Sequence, residues 1–302
     1  MPELPDVEAY RHGLLRRVSG QPLERLRITG FSLLKTFDPP VSAIEGETLT
    51  DVRRVGKRIV FCFEEVADRD EPLFAVLHLM IAGRLREKER GAPIPRRNGL
   101  AAFDFPDTTF VLTEAGTKKR ASLHVVAGEE ALAEHDRGGI EPLAADLSAF
   151  REQLVLENRT LKRALTDPRR FSGIGNAFSD EILHRAGLSP VQRTQNLDEA
   201  EIGRLYDATQ AVLSEWTDRL VAEAEESFPD KVTAFRPDFA AHGRYGEPCP
   251  VCGTEVQRIR YADNETNYCP RCQTDGKLLA DRSLSRLLKD DWPANVDELE
   301  GS

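Results

Sequence analysis

The residues whose spacing points most directly to chemistry are four cysteines, Cys249-x-x-Cys252 and Cys269-x-x-Cys272, with sixteen residues between the pairs. Each C-x-x-C turns two thiolates toward one point, and a hairpin of this length brings the pairs together. That is the ligand pattern of a tetrahedral zinc site. Four sulfurs close the coordination sphere, so one such zinc organises a hairpin and performs no catalysis. Gly253 and the Asp263-Asn264 pair suit its turns. Two disulfides are the alternative use of the same residues. The acidic, Pro-broken start Met1-Pro2-Glu3-Leu4-Pro5-Asp6 is unlike a secretory leader and favours metal over disulfides. The fifth cysteine, Cys62, alternates within Ile59-Val60-Phe61-Cys62-Phe63 and reads as core.

Clustered bases are the second signal, because they can grip anions. They fall at Arg53, Arg54, Lys57 and Arg58, from Arg84 to Arg97, at Lys118, Lys119 and Arg120, and from Arg159 to Arg170. The total argues the other way: 41 Lys+Arg face 51 Asp+Glu, a net charge of −10. Taken as an average, that disfavours a nucleic-acid partner. The acids are segregated, however. Residues 129–146 hold six acids against Arg137, residues 198–230 hold ten against Arg204 and Arg219, and more lie in the tail. Screening over about 10 Å at 0.1 M salt lets a basic face coexist with an acidic total. No apolar run approaches the ~20 residues of a membrane helix, so no membrane partner is expected, and a cytoplasmic monomer is.

Three kinds of texture position these residues. Residues 1–20 open with turn chemistry and continue with helical spacing through Val7, Leu14, Leu15 and Val18. Residues 23–128 read as short strands broken by Gly, Pro and Asp, among them 49–55, 59–63, 74–79, 101–105 and 110–113, the pattern of a β-sandwich or barrel. From 148 to 228 the spacing is helical, with Ser148 and Asp198 where caps belong. A Pro-containing connector then leads to the cysteine unit. The expected fold is α+β and multidomain: a sandwich over 1–146, a helical domain with its connector over 147–240, a zinc finger over 241–289 and an acidic tail over 290–302.

Motifs along the chain narrow the function. The start Met1-Pro2-Glu3-Leu4-Pro5-Asp6-Val7-Glu8, the Val55-Gly56-Lys57-Arg58 turn and Leu77-His78-Leu79 followed by Gly83-x-Leu85 occur in order. They are followed by Gly173-Ile174-Gly175-Asn176-Ala177-Phe178-Ser179-Asp180-Glu181-Ile182-Leu183, then Ala241-His242-Gly243-Arg244 before the cysteines. Together these resemble the formamidopyrimidine-DNA glycosylase and endonuclease VIII family over residues 2 to about 289. The resemblance implies an N-terminal β-sandwich, a helix–two-turn–helix domain and a C-terminal four-cysteine zinc finger.

It also implies roles. Pro2, exposed by removal of Met1, corresponds to the nucleophile, and an α-amino group of pKa ~8 is partly neutral near pH 7. Glu3 corresponds to the general acid/base, with Glu8 nearby and Asp6 where the family usually has Glu. Lys57 corresponds to a lysine that contacts phosphate and assists at the damaged base. Asn176 corresponds to a backbone anchor at a helix start. Lys162, Arg163, Arg169 and Arg170 would form a phosphate-facing edge, and Lys118, Lys119 and Arg120 a basic loop. The implied activity is a bifunctional DNA glycosylase and abasic-site lyase acting on double-stranded DNA with damaged bases or abasic sites. Such a protein associates with the nucleoid when bound to DNA.

The chain departs from the family pattern in three places. Asn264 stands where an Arg usually clamps phosphate, five residues before the third cysteine, with Arg258 and Arg260 on the preceding strand. Residues 113–120 replace the family's Asp-Pro-Arg-Arg-Phe and lack its wedge Phe, leaving Ile81 as a candidate filler of the gap left by a flipped base. Residues 227–235 are short and unlike the loop that closes over 8-oxoguanine. Two alternatives follow: a damage or abasic-site binding protein without efficient base excision, and a zinc-ribbon binding module without catalysis.

Overall fold

The computed structural model describes residues 1–64, 71–230, 232–261, 264–280 and 294–300. Asp263 of the expected hairpin turn, and Asp290 and Asp291 of the acidic tail, lie outside the described residues. The chain packs as two units, Met1–Arg137 with Trp216–Thr233, and Gly138–Glu215 with Ala234–Ser302.

The first unit begins with α1 (Leu4–Val18) and eight strands follow, and both four-stranded sheets are antiparallel. One has the order β1 (Arg25–Ile28), β6 (Gly99–Asp104), β7 (Thr108–Glu114), β5 (Gly83–Glu89). The other has the order β2 (Leu49–Val55), β3 (Arg58–Phe63), β4 (Leu73–His78), β8 (Ser122–Ala127). This is the expected sandwich. Alternation explains why β3 is apolar from Ile59 to Phe63. Ile59, Phe61 and Phe63 join the main core, while Val60 and Cys62 join a smaller cluster with Phe74, Val76, Val126 and Leu132 of α2 (Gly128–Ala133). Phe61 stacks on Phe103 at 5.0 Å, tying the two sheets together. Phe228 enters the same core, 4.9 Å from Phe110 and 5.7 Å from Tyr10, and Gly13 of α1 leaves it room.

The second unit carries α3 (Leu147–Val155), α4 (Leu161–Leu165), α5 (Asn176–Ala186) and the part of α6 (Glu199–Glu226) up to Glu215. The cap of α3 is Asp146, whose carboxylate accepts from Ala149 N at 2.9 Å; Ser148, expected in that role, lies inside the helix. Asp198 does cap α6, in a reciprocal box with Glu201. The cysteine unit is a hairpin of β9 (Gln257–Arg260) and β10 (Glu265–Tyr268) followed by α7 (Pro270–Thr274). The chain returns as α8 (Val296–Glu300), after residues 294–296 pair with 276–278 through Leu278 N to Ala294 O and Val296 N to Gly276 O. Among the described residues no helix is long and apolar enough to cross a membrane.

Candidate active site and nucleic-acid interface

Helix chemistry sets the N-terminus. Glu3 is the N-cap of α1, in extended backbone; its side chain accepts from the third helical amide, and its own N–H donates to Asp6 Oδ2 at 2.9 Å. The shorter acid at position 6 therefore still completes a capping box. Pro2, Glu3 and Asp6 are all buried, whereas Met1 is exposed. Burial holds the Met1 ammonium below its ordinary pKa; Glu3 and Asp6 oppose this, and the positive charges of Arg84 and Lys57 reinforce it. One helix start thus holds the amine-bearing residues among two acids and two bases. Glu8 plays a different part. Burial alone would push its carboxyl up, yet hydrogen bonds from Arg11 at 2.6 Å and Arg54 at 2.7 Å hold it below the usual range, so it is a buttress of α1.

The loops around this terminus have explicit causes. Val55 pairs with Arg58, leaving Gly56 and Lys57 as a two-residue hairpin loop. Gly56 takes φ 59°, the positive value a primed turn needs, and Lys57 stands beside it at the tip. The turn from Leu79 to Gly83 is tighter. A Cβ at Gly83 would lie 2.2 Å from Leu79 O, and Met80 takes φ 54°, a conformation that costs a side-chain-bearing residue ~1–2 kcal/mol. This presents Ile81 to solvent, 56% exposed. Arg84 follows, its guanidinium donating to the carbonyls of Val232 at 2.5 Å, Gly83 at 2.6 Å and Ile81 at 3.1 Å. In the 115–120 loop, Lys118 and Arg120 are exposed and the ammonium of Lys119 donates to Glu114 O. The buried Glu114 carboxylate accepts from Arg120 N and Ala121 N at 2.9–3.1 Å, fixing the base of the loop.

In the second unit Asn176 is the first residue of α5, and its amide donates to Glu265 O on β10 at 2.9 Å. Lys162 departs from the expected phosphate-facing edge. It is 9% exposed, and its ammonium sits 2.5 Å from Asp180 and 2.6 Å from Asn176 O. Arg170 is buried as well, against Gln153 O and Glu157, and Arg169 chelates Asp167; among the described residues Arg163 alone of the four is exposed without such a contact. A helical segment seen in one dimension does not reveal which of its bases face a buried acid. Asp180 also contacts His242 Nδ1 at 2.7 Å, and Glu181 accepts from the backbone N–H of Ala240, Ala241 and His242 at 2.7–2.9 Å. Burial raises the Glu181 pKa, against the pull of those amides. Asp180 and Glu181 carry no sequence-read role, yet they seat the approach to the cysteines. The signal available was the rarity of two adjacent acids in the first turns of an apolar helix.

The four cysteine sulfurs lie within 4.8 Å of one another, one ligand atom each, a geometry that fits a tetrahedral ion such as zinc. Gly253 turns the first pair at φ 78°, and Asn264 closes the hairpin by accepting from Tyr261 N at 2.8 Å. His184 Nε2 of α5 lies 3.2 Å from Cys249 Sγ, a contact outside the ligand set that sequence spacing did not reveal. Arg258 is engaged by Glu265 at 3.4 Å and lies over the Tyr245 ring at 4.0 Å.

Comparison with known proteins follows this geometry closely. Models of the formamidopyrimidine-DNA glycosylase N-terminal domain, its H2TH domain and the zinc finger found in FPG and IleRS match residues 1–122, 139–219 and 246–274. The formamidopyrimidine-DNA glycosylase of Heliobacterium modesticaldum is 34% identical over 90% of this chain and 100% of its own length. An uncharacterized formamidopyrimidine-DNA glycosylase-like protein of Mycobacterium tuberculosis is 43% identical over 49% of this chain and 93% of its own. Among solved structures, Lactococcus lactis Fpg in complex with abasic-site DNA superposes with TM-score 0.77 at 25% identity, covering 90% of this chain and 99% of that one. With matched domains in order and a full-length relative at this identity, the chain belongs to the formamidopyrimidine-DNA glycosylase family.

Proposed function

We propose that this protein is a bifunctional DNA glycosylase and abasic-site lyase of base excision repair, acting on double-stranded DNA that carries oxidised bases or abasic sites. The observation that carries the reading is the buried Pro2-Glu3 pair at the start of α1, under the charges of Arg84 and Lys57. Removal of Met1 makes Pro2 the terminal secondary amine. Its nitrogen attacks C1′ of the damaged nucleotide, the N–C1′ bond forms as the glycosidic bond breaks, and the base leaves with a proton supplied through Glu3. A further proton supplied through Glu3 to O4′ lets the C1′–O4′ bond break, and the nitrogen lone pair forms the iminium, which acidifies C2′. Loss of the C2′ proton expels the phosphate from C3′ as the C3′–O bond breaks, releasing the downstream strand with a 5′-phosphate, and hydrolysis of the imine returns the free amine. An α-amine of ordinary pKa ~8 is partly unprotonated near neutral pH and able to attack, and Lys57 suits a phosphate beside the reacting sugar.

Asn176 at the start of α5, with Lys118, Lys119 and Arg120, serves as the backbone-gripping set, and Ile81 as the side chain entering the space of the flipped base. Zinc, bound by Cys249, Cys252, Cys269 and Cys272, supplies structure alone. One observation favours a second reading, binding and lysis at abasic sites without efficient excision: the hairpin tip carries Asn264 in place of a cation, with Arg258 engaged elsewhere. Borohydride trapping tests the chemistry. The Met-processed protein mixed with abasic DNA should give a covalent adduct that Pro2→Gly abolishes. No adduct, or one indifferent to Pro2→Gly, would sink the assignment, and release of free base from oxidised duplexes separates the two readings.

A further inference from the structure

One end of the sandwich is a closed ring of four loops. Thr29 and Gly30 donate to Leu100 O at 2.9 and 3.0 Å; Glu114 N donates to Asn98 O at 2.8 Å, and Ala115 N to Ala82 O at 3.3 Å. Glu114 then holds Arg120 and Ala121, and the circuit closes where Leu123 N donates to Leu33 O and Lys35 N to Leu123 O, both at 2.9 Å. Residues 29–37, 79–84, 94–98 and 114–121 of this ring carry seven bases: Lys35, Arg84, Arg96, Arg97, Lys118, Lys119 and Arg120. Their one acid, Glu114, is buried and saturated by backbone N–H groups. Among the described residues none of the seven pairs with a carboxylate.

Two aromatic side chains stand out of this cationic ring. Phe31 is fully exposed and Phe37 is 82% exposed, although their loop is rigidly held. Leu33 between them is buried, Gly30 packs against Leu100, and Thr36 Oγ1 accepts from Val125 N at 2.7 Å. Leaving two Phe rings in water forfeits a few kcal/mol of burial that a turn of polar residues would not need. We infer that Phe31 and Phe37 are base-stacking residues, which receive nucleobases unstacked from DNA whose phosphates the surrounding bases hold. Interleaved cations and exposed aromatic faces are the makings of such a platform, since every base has a π-face and every nucleotide a charge. Seven bases in the same loops suit a polyanion better than an apolar protein partner, and the vesicle arm of the test below covers an anionic lipid surface. Arg84 of the same ring acts on the Met1 amine beside Pro2, so the platform and the N-terminus share one electrostatic neighbourhood.

This inference deepens the proposed reading of DNA as substrate and rests on it. The test uses the full chain with duplexes carrying a tetrahydrofuran abasic analogue and 2-aminopurine in the opposing strand. F31A/F37A should bind that duplex about 5- to 100-fold more weakly. It should lose the position-dependent change in 2-aminopurine emission and keep the slope of log Kd against log salt, because no phosphate contact is removed. Unchanged affinity and emission overturn the inference. So does a loss confined to binding of phosphatidylglycerol vesicles, which would make the surface a lipid contact. F31L/F37L guards against misfolding: it keeps apolar bulk without the ring, and wild-type behaviour in that variant also refutes stacking. Failure of the wild-type protein to form a borohydride adduct would instead sink the lyase reading and leave the fluorescence result standing.

Discussion

Lys162 separates a structural from a DNA-contacting role by numbers that differ in kind. Its ammonium lies 2.5 Å from Asp180, which is completely buried, and Lys162 itself is nearly so. Lys162→Met keeps the stem and deletes the charge, leaving Asp180 with His242 at 2.7 Å. Breaking a buried pair costs ~3–5 kcal/mol, and the remaining imidazole argues for the lower end, about 3 kcal/mol. For a unit of this size that is a fall in Tm of about 6–12 °C, measured by calorimetry with zinc at saturation. A phosphate contact would behave otherwise. Its loss changes the slope of log K against log salt by ~0.9, or about 3.5-fold between 50 and 200 mM, and leaves Tm alone. The buried-pair account predicts the first signature without the second. A Tm within 2 °C of wild type together with a shallower salt slope would refute it.

Four further outcomes are expected. Asn264→Arg, at the exposed hairpin tip, should tighten binding to abasic-analogue DNA about tenfold and steepen the salt slope by ~0.9; unchanged titrations would show that no phosphate reaches this tip. The borohydride trapping rate should rise with a midpoint at about pH 8, that of an ordinary α-amino group, since Pro2 rather than a side chain supplies the nitrogen; a midpoint near pH 10 would point to a lysine. Burial, then Arg58 and Lys57, depresses His78 to about 4, so the unfolded chain takes up its proton first as pH falls. Stability should therefore be full above about pH 6.5 and decline toward pH 4 by on the order of 3 kcal/mol, an acid limb that His78→Phe flattens in denaturant titrations. His184→Phe should shift the thiolate-to-metal absorption of the cobalt-substituted protein and speed zinc loss to a chelator, because the imidazole touches Cys249; an identical spectrum would mean the contact is mere packing.

The parts of the molecule that were legible in the sequence are those whose causes are local. β2 occupies the residues read as a strand, and β3 differs from its reading by one, because period-two alternation and the Gly56 turn act within a few residues. The cysteine quartet was visible for the same reason: both C-x-x-C turns are local, and only the hairpin had to join them. β5 was harder. Gly83–Glu89 buries only Gly83 and Leu85, so its charged residues read as a basic stretch and only its partner β7 makes it a strand. The cap at Asp146 was displaced to Ser148 because both residue types favour that position. Buried acids were the least legible, since Glu114, Asp180 and Glu181 are satisfied by groups distant along the chain or by backbone amides that have no residue type.

The three amides gathered by Glu181 bear on how this lineage can change length. A carboxylate that accepts from Ala240, Ala241 and His242 at once needs three consecutive residues in one backbone geometry. A single inserted or deleted residue there would strand a buried charge and pull His242 from Asp180. A library of loop lengths built for retargeting this protein should therefore leave residues 240–242 in register with Glu181.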